Sequence, residues 1–189
     1  MTSPVPLSVP VLVPLSAPVL VPLSALIPVL SGLSGLATGE LFKLGSSADV
    51  LMGRSRDCQI SFQRFRAWLM LSETERRMRD HFNSAVSRKH LRLITHGSLL
   101  TIEDLSSTGT TVDHLPLQGR RSYNLANGSV VLKLGNAEER FRVELLDEAE
   151  ADRRLAALPA MGEPHRLTGV PLLVDDPTPK GNPILPPSA

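Results

Sequence analysis

An antiparallel β-sandwich carrying a short helical insertion is the fold class this 189-residue sequence predicts, and three observations predict it. Seven short runs between residues 41 and 145 alternate apolar and polar side chains with a period of two. Glycine and asparagine punctuate the gaps between these runs. No helical pattern alternates with them, as a parallel α/β sheet would require.

The runs follow one another as Leu41 to Leu44, Val50 to Met52, Gln59 to Phe62, His90 to Ile94, Leu99 to Glu103, Ser129 to Leu134 and Arg140 to Leu145. Each reads as a strand with one buried face. His96-Gly97 suits a hairpin, and Asn127-Gly128 marks a second tight turn because both residues tolerate positive φ. The stretch 63–84 breaks the pattern with five arginines: Arg64, Arg66, Arg76, Arg77 and Arg79. Ser72-Glu73-Thr74-Glu75 has the form of a capping box, in which the serine hydroxyl and the glutamate carboxylate satisfy orphan amides at a helix start. It predicts a helix running to about Phe82, with Glu75 and Arg79 paired one turn apart and Met78 and Phe82 packed back on the sandwich. This insertion reads as a solvated helix covering a sheet edge or as a basic patch for a partner or nucleic acid.

All seven aromatic residues fall between Phe42 and Phe141, and between Glu40 and Leu158 the only proline is Pro116. That distribution places one domain at 40–146, followed by a short helix or linker at 147–158, where Glu148 stands four before Asp152 and Leu155 three before Leu158. The first 39 residues carry no charge and repeat Val-Pro-Leu-Ser with a period of eight, from Val5 to Ser24. They read as a low-complexity, disordered segment, as does the proline-rich tail at 159–189. Prolines at 4, 6, 10, 14, 18, 22 and 28 interrupt any membrane-spanning helix, and no basic residue precedes the apolar stretch as in a secretory signal.

Three further runs carry chemistry: Gly53-Arg54, then Ser87-Arg88-Lys89-His90, then Asp104-Leu105-Ser106-Ser107-Thr108-Gly109-Thr110. Each lies beside a predicted strand. Together they resemble the forkhead-associated (FHA) domain, with a likeness spanning roughly Glu40 to Leu146. The family is a β-sandwich that binds phosphothreonine peptides through loops at one end. A phosphothreonine bears nearly two negative charges and three acceptor oxygens, so its receptor needs a guanidinium and several neutral donors. The resemblance implies that Arg54 supplies the guanidinium, that Ser87 and Ser107 donate to the phosphate, and that Arg88 and Lys89 add charge. It gives Gly53, His90, Asp104 and Gly109 structural roles at the site. Asp104 and Ser106 would organise the turn through bonds to backbone amides, and Gly109 would take a conformation that glycine accepts easily. Thr108 departs from the family, which usually has asparagine there to hold the peptide backbone with a donor and an acceptor. A threonine hydroxyl makes one of those bonds but not the pair, a loss of about 1 kcal/mol. The connection at 63–84 is also longer than the family usually has.

The expected function is therefore a non-catalytic adaptor in intracellular phospho-signalling, whose partner is a threonine-phosphorylated protein or peptide. An enzyme is not expected. Ser87, His90 and Asp104 can be drawn as a triad, yet Ser87 and His90 lie too close in sequence for the usual elbow, and no Gly-x-Ser-x-Gly turn occurs. There is no phosphate-binding Gly-x-x-x-x-Gly-Lys loop, and the five histidines and Cys58 lack ligand spacing, so no metal or other cofactor is expected. A net charge of +1 argues against nucleic acid. Two alternatives stand beside the adaptor: an FHA-like scaffold without phosphopeptide binding, motivated by Thr108, and partner or nucleic-acid binding through the arginine-rich insertion. A single cysteine permits no internal disulfide and suits a reducing compartment, nucleus or cytoplasm.

Overall fold

The structure is a computed structural model and describes residues 26–79 and 85–158. The expectations for the Val-Pro-Leu-Ser repeat, for the tail at 159–189 and for Phe82 lie outside the described residues. The strands are β1 (Leu26–Ser34), β2 (Leu41–Lys43), β3 (Ser47–Gly53), β4 (Ile60–Ser61), β5 (Leu91–His96), β6 (Leu99–Asp104), β7 (Thr110–Val112), β8 (Leu115–Pro116), β9 (Arg120–Asn124), β10 (Val130–Leu134) and β11 (Arg140–Asp147). The helices are α1 (Arg66–Leu69), α2 (Glu73–Met78) and α3 (Glu148–Ala157). No helix among the described residues is long and apolar enough to cross a membrane.

Period-two sequences bury one face, and two such faces close on each other here. One sheet runs β2-β1-β11-β10-β7-β8 and the other β4-β3-β5-β6-β9. Pairing is antiparallel apart from the short parallel contact of β3 with β4. Leu30, Leu132, Leu134, Phe141 and Val143 of the first sheet meet Val50, Met52, Leu91, Leu93, Leu100 and Ile102 of the second in one buried core. Each such side chain contributes about 1.5–3 kcal/mol of apolar burial. The predicted hairpin forms between β5 and β6, with Gly97 at φ 58°. Asn127 ends a 3-10 turn that Gly128 terminates at φ 137°.

The domain begins upstream of Glu40. Residues Leu26–Ser34, read from sequence as low complexity, form β1 at the centre of the first sheet, paired with β11 from Leu26↔Asp147 to Ser34↔Arg140 and with β2. Alternation is missing because Val29 and Leu30, on opposite faces, are both fully buried. Pro28 is tolerated because the β1–β2 ladder ends at Val29↔Lys43, and its carbonyl still accepts from the Leu44 amide at 2.9 Å. After β1 the chain turns tightly against itself. A Cβ on Gly32 would lie 1.7 Å from the Ala37 carbonyl oxygen. The buried carboxylate of Glu139 closes this turn by accepting from the Leu36 and Ala37 amides at 3.0 and 3.1 Å. Burial pushes its pKa up, against those two bonds.

In the insertion the capping box forms as the sequence requires, with Ser72 and Glu75 satisfying each other's amides. Three other expectations fail. Helix α2 stops at Met78, the helical pair one turn apart is Glu73–Arg77 rather than Glu75–Arg79, and Met78 points to solvent, 71% exposed. The anchoring belongs to Phe62 and Phe65, which stack at 4.6 Å and meet Phe141 edge-on at 5.9 and 6.3 Å. Trp68 and Leu71, rather than Met78, supply the insertion's other apolar contacts with the core.

The helix predicted at 147–158 forms as α3. Asp147 caps it through the Glu150 amide at 2.8 Å, and Ala151 is buried against the sandwich. Glu148 and Asp152, one turn apart, both reach Lys43, while Arg154 ties Glu144 to Glu150.

Candidate functional site

Three segments meet at one end of the sandwich: the loop after β3, the stretch 85–90 entering β5, and the loop from β6 to β7. Backbone bonds sew them together. The Arg54 amide donates to the Ser87 carbonyl at 3.1 Å, the Ser55 amide to Arg88 at 2.9 Å and the Leu105 amide to His90 at 2.9 Å. Gly53 makes the second contact possible, because a Cβ there would lie 2.3 Å from the Arg88 carbonyl oxygen. Close approach of a neighbouring backbone, not a bend in its own, is what requires glycine.

His90 is fully buried between all three segments. Its Nδ1 accepts the Ser87 amide at 3.0 Å, so the ring proton sits on Nε2 and is donated to the Gly109 carbonyl at 3.3 Å. Burial pulls its pKa below the ordinary value, outweighing the nearby Asp104 carboxylate and the Gly109 bond. A neutral imidazole is the form this arrangement needs.

The β6–β7 loop is folded by its own polar side chains. Asp104 accepts the Ser106 amide at 2.9 Å, Ser106 Oγ accepts the Gly109 amide at 2.8 Å, and Gly109 adopts φ 80°. This turn brings Ser107 to Ser87. The Ser107 amide donates to Ser87 Oγ at 3.2 Å, and the two hydroxyls lie 3.4 Å apart on the exposed rim.

Arg54 is half-buried, with Nε donating to the Val86 carbonyl at 3.3 Å. Arg88 and Lys89 are exposed and line, with Ser55 and Asp57, a depression of about 350 Å³. Asp57 accepts from Ser55 Oγ, and among the described residues no carboxylate pairs with Arg54, Arg88 or Lys89. The end of the sandwich therefore offers positive charge beside the rim hydroxyls of Ser87 and Ser107, a combination suited to an anion with several acceptor oxygens. Among the described residues no group of His, Cys, Asp and Glu is placed to hold a metal ion.

Thr108 is placed differently from the expectation. Its hydroxyl donates inward to the Ala85 carbonyl at 2.8 Å instead of standing on the rim. Three supporting residues were not singled out from sequence. Val86 fixes Arg54 through its carbonyl, buried Cys58 donates to the Arg88 carbonyl at 3.3 Å, and Gly135 lies against Thr108 and Ala85. A Cβ on Gly135 would lie 2.5 Å from the Ala85 carbonyl oxygen. No local sequence signal marks Val86 or Gly135, since both act through backbone that arrives from elsewhere in the chain.

The FHA domain family model matches residues 50–135. Among solved structures, the chain is similar to the FHA domain of an Arabidopsis thaliana hypothetical protein, at 22% identity over 74% of this chain and 93% of that one, with a TM-score of 0.48. It is similar to an FHA domain studied for phosphothreonine-dependent interactions, at 23% identity over 62% and 95%, TM-score 0.42. A third similar chain is Mycobacterium tuberculosis EmbR in complex with a low-affinity phosphopeptide, at 20% identity over 62% and 24%, TM-score 0.41. No curated protein matches the sequence. The match at 50–135 takes in the three motif runs, so it is this stretch of the chain that carries the FHA domain.

Proposed function

We propose that this FHA domain is the recognition module of a non-catalytic adaptor that docks onto a threonine-phosphorylated protein. The observation that carries the reading is the Ser87–Ser107 pair, two hydroxyls 3.4 Å apart on the rim of a loop cluster that also holds Arg54. In this reading Arg54 supplies the guanidinium, Ser87 and Ser107 donate to phosphate oxygens, and Arg88 and Lys89 raise the local positive potential. The preference for threonine over serine rests on the family likeness. A reducing compartment, nucleus or cytoplasm, is the proposed setting.

One observation favours a second reading, a scaffold that has lost recognition. Thr108 gives its only proton to Ala85, so the donor half of the peptide-backbone contact expected at this position is taken.

Titration of the full chain with a phosphothreonine peptide library separates the two, alongside phosphoserine and unphosphorylated versions and Arg54→Ala. The adaptor predicts phosphate-dependent binding weakened at least about tenfold in Arg54→Ala, since a hydrogen bond to a charged group is worth roughly 1.5–3 kcal/mol. A folded protein with no phosphate-dependent binding leaves the scaffold.

A further inference from the structure

The outer face of the six-stranded sheet carries an unneutralised cation strip. On β11, Arg140 and Arg142 flank buried Phe141, and on β10 Lys133 lies between buried Leu132 and Leu134, so all three point away from the core. Lys133 stands directly across from Arg140, a like-charge pairing that sheets avoid because it destabilises them. Lys43, Arg77, Arg92, Arg153 and Arg154 find carboxylates, whereas among the described residues no carboxylate pairs with Lys133, Arg140 or Arg142, just as none pairs with Arg54, Arg88 or Lys89 of the loop cluster. Glu144, two residues along β11 from Arg142, is taken by Arg154 of α3. That helix covers the far end of the face and leaves the strip open.

The strip is continuous with the loop cluster. The Gly135 amide, two residues beyond Lys133, donates to the Gly109 carbonyl at 2.8 Å. From Gly135 to the level of Arg142 is about 13 Å at 3.3 Å per residue, the reach of some four extended residues. We propose that the strip receives an acidic, carboxylate-bearing stretch of the same phosphorylated partner, a few residues from its phosphothreonine. The proposal rests on the phosphopeptide reading and adds a second contact to it. A carboxylate-rich peptide fits better than a polynucleotide, because among the described residues the face presents no aromatic ring for base stacking: the half-buried aromatics Trp68 and Tyr123 belong to the insertion and to the other sheet.

The test compares phosphothreonine peptides of one core sequence, extended on either side by four neutral residues and then either three glutamates or three glutamines. They are titrated into the full chain and into a variant combining Lys133→Gln, Arg140→Gln and Arg142→Gln. The expected result is an approximately three- to tenfold gain from glutamate on one side, lost in the variant and at about 0.5 M salt, where exposed charges are screened. Unchanged affinity of the variant for the glutamine-flanked peptide shows that the fold and the phosphate site are intact. Phosphate-dependent binding without a gain from glutamate, or with a gain that survives in the variant, overturns this proposal alone. Binding of a single-stranded oligonucleotide through the same three cations, with no gain from glutamate, also overturns it. Failure of every phosphopeptide to bind overturns both readings.

Discussion

Thr108 holds Ala85: a hydroxyl from the β6–β7 loop donates at 2.8 Å to the carbonyl where the helical insertion returns to the sandwich. The bond ties the returning end of the insertion to the loop that presents Ser107. Thr108→Val preserves the branched shape and removes the donor, leaving the half-buried Ala85 carbonyl without this partner. We expect a loss of about 1–2 kcal/mol in urea denaturation and faster amide exchange at residues 85–87. Unaltered exchange there would show that other contacts, such as those at Gly135, hold the segment alone.

Gly53→Ala tests the close approach beneath the site. The added methyl would meet the Arg88 carbonyl oxygen at 2.3 Å, and backbone atoms on both sides cannot rotate out of the way. The 85–90 segment must shift, at a cost of about 1–3 kcal/mol. Because Ser87 rides on that segment, phosphopeptide affinity should fall with stability. A variant of undiminished stability and affinity would mean that the two segments separate easily.

His90 makes the site sensitive to acid. Its folded pKa lies below the ordinary value of 6.5 because burial disfavours the charged ring. Above that value the ring is neutral in both states and its contribution is fully present. As pH falls towards and through the folded pKa, the unfolded chain takes up more protons, so stability drops. Protonated Nδ1 would also oppose the Ser87 amide it now accepts. Denaturation midpoints should therefore decline as pH falls below about 7, with a shallower decline in His90→Asn, which keeps an acceptor but does not titrate. Equal slopes would place the acid sensitivity outside His90, and not at Asp49. Its carboxylate, held below its usual range by Arg92, acts at lower pH.

Seven strands and the order of the site runs were legible because both depend on local pattern. Alternation writes a half-buried strand into its own sequence, and Asp104, Ser106 and Gly109 fold a turn whose partners lie within a few residues. The unread parts depend on distant chain. β1 hides its alternation because both faces are covered, and β9, an edge strand with four of its five residues exposed, has no apolar face to announce it. The Thr108 contact was unread for the same reason: its partner Ala85, 23 residues away, is reached only through the fold.

Lys133→Glu should stabilise the protein. The substitution places a carboxylate directly across from Arg140 and diagonal to Arg142, replacing a repulsive cross-strand pair with an attractive one. Cross-strand opposite-charge pairs contribute about 0.2–1 kcal/mol, and removing the like-charge pair acts in the same direction. The position is solvent-facing and leaves the core packing untouched, so urea denaturation should move to a higher midpoint with an unchanged slope. The same variant should lose the gain from acidic flanks, because it neutralises the strip from within. Greater stability together with weaker acidic-flank binding would mean that the repulsion is retained for an interaction. A stabilised variant that keeps the glutamate gain would locate the acidic contact elsewhere on the domain. Absence of any stabilisation would mean that solvent already screens the three cations and that their clustering has no cost to explain.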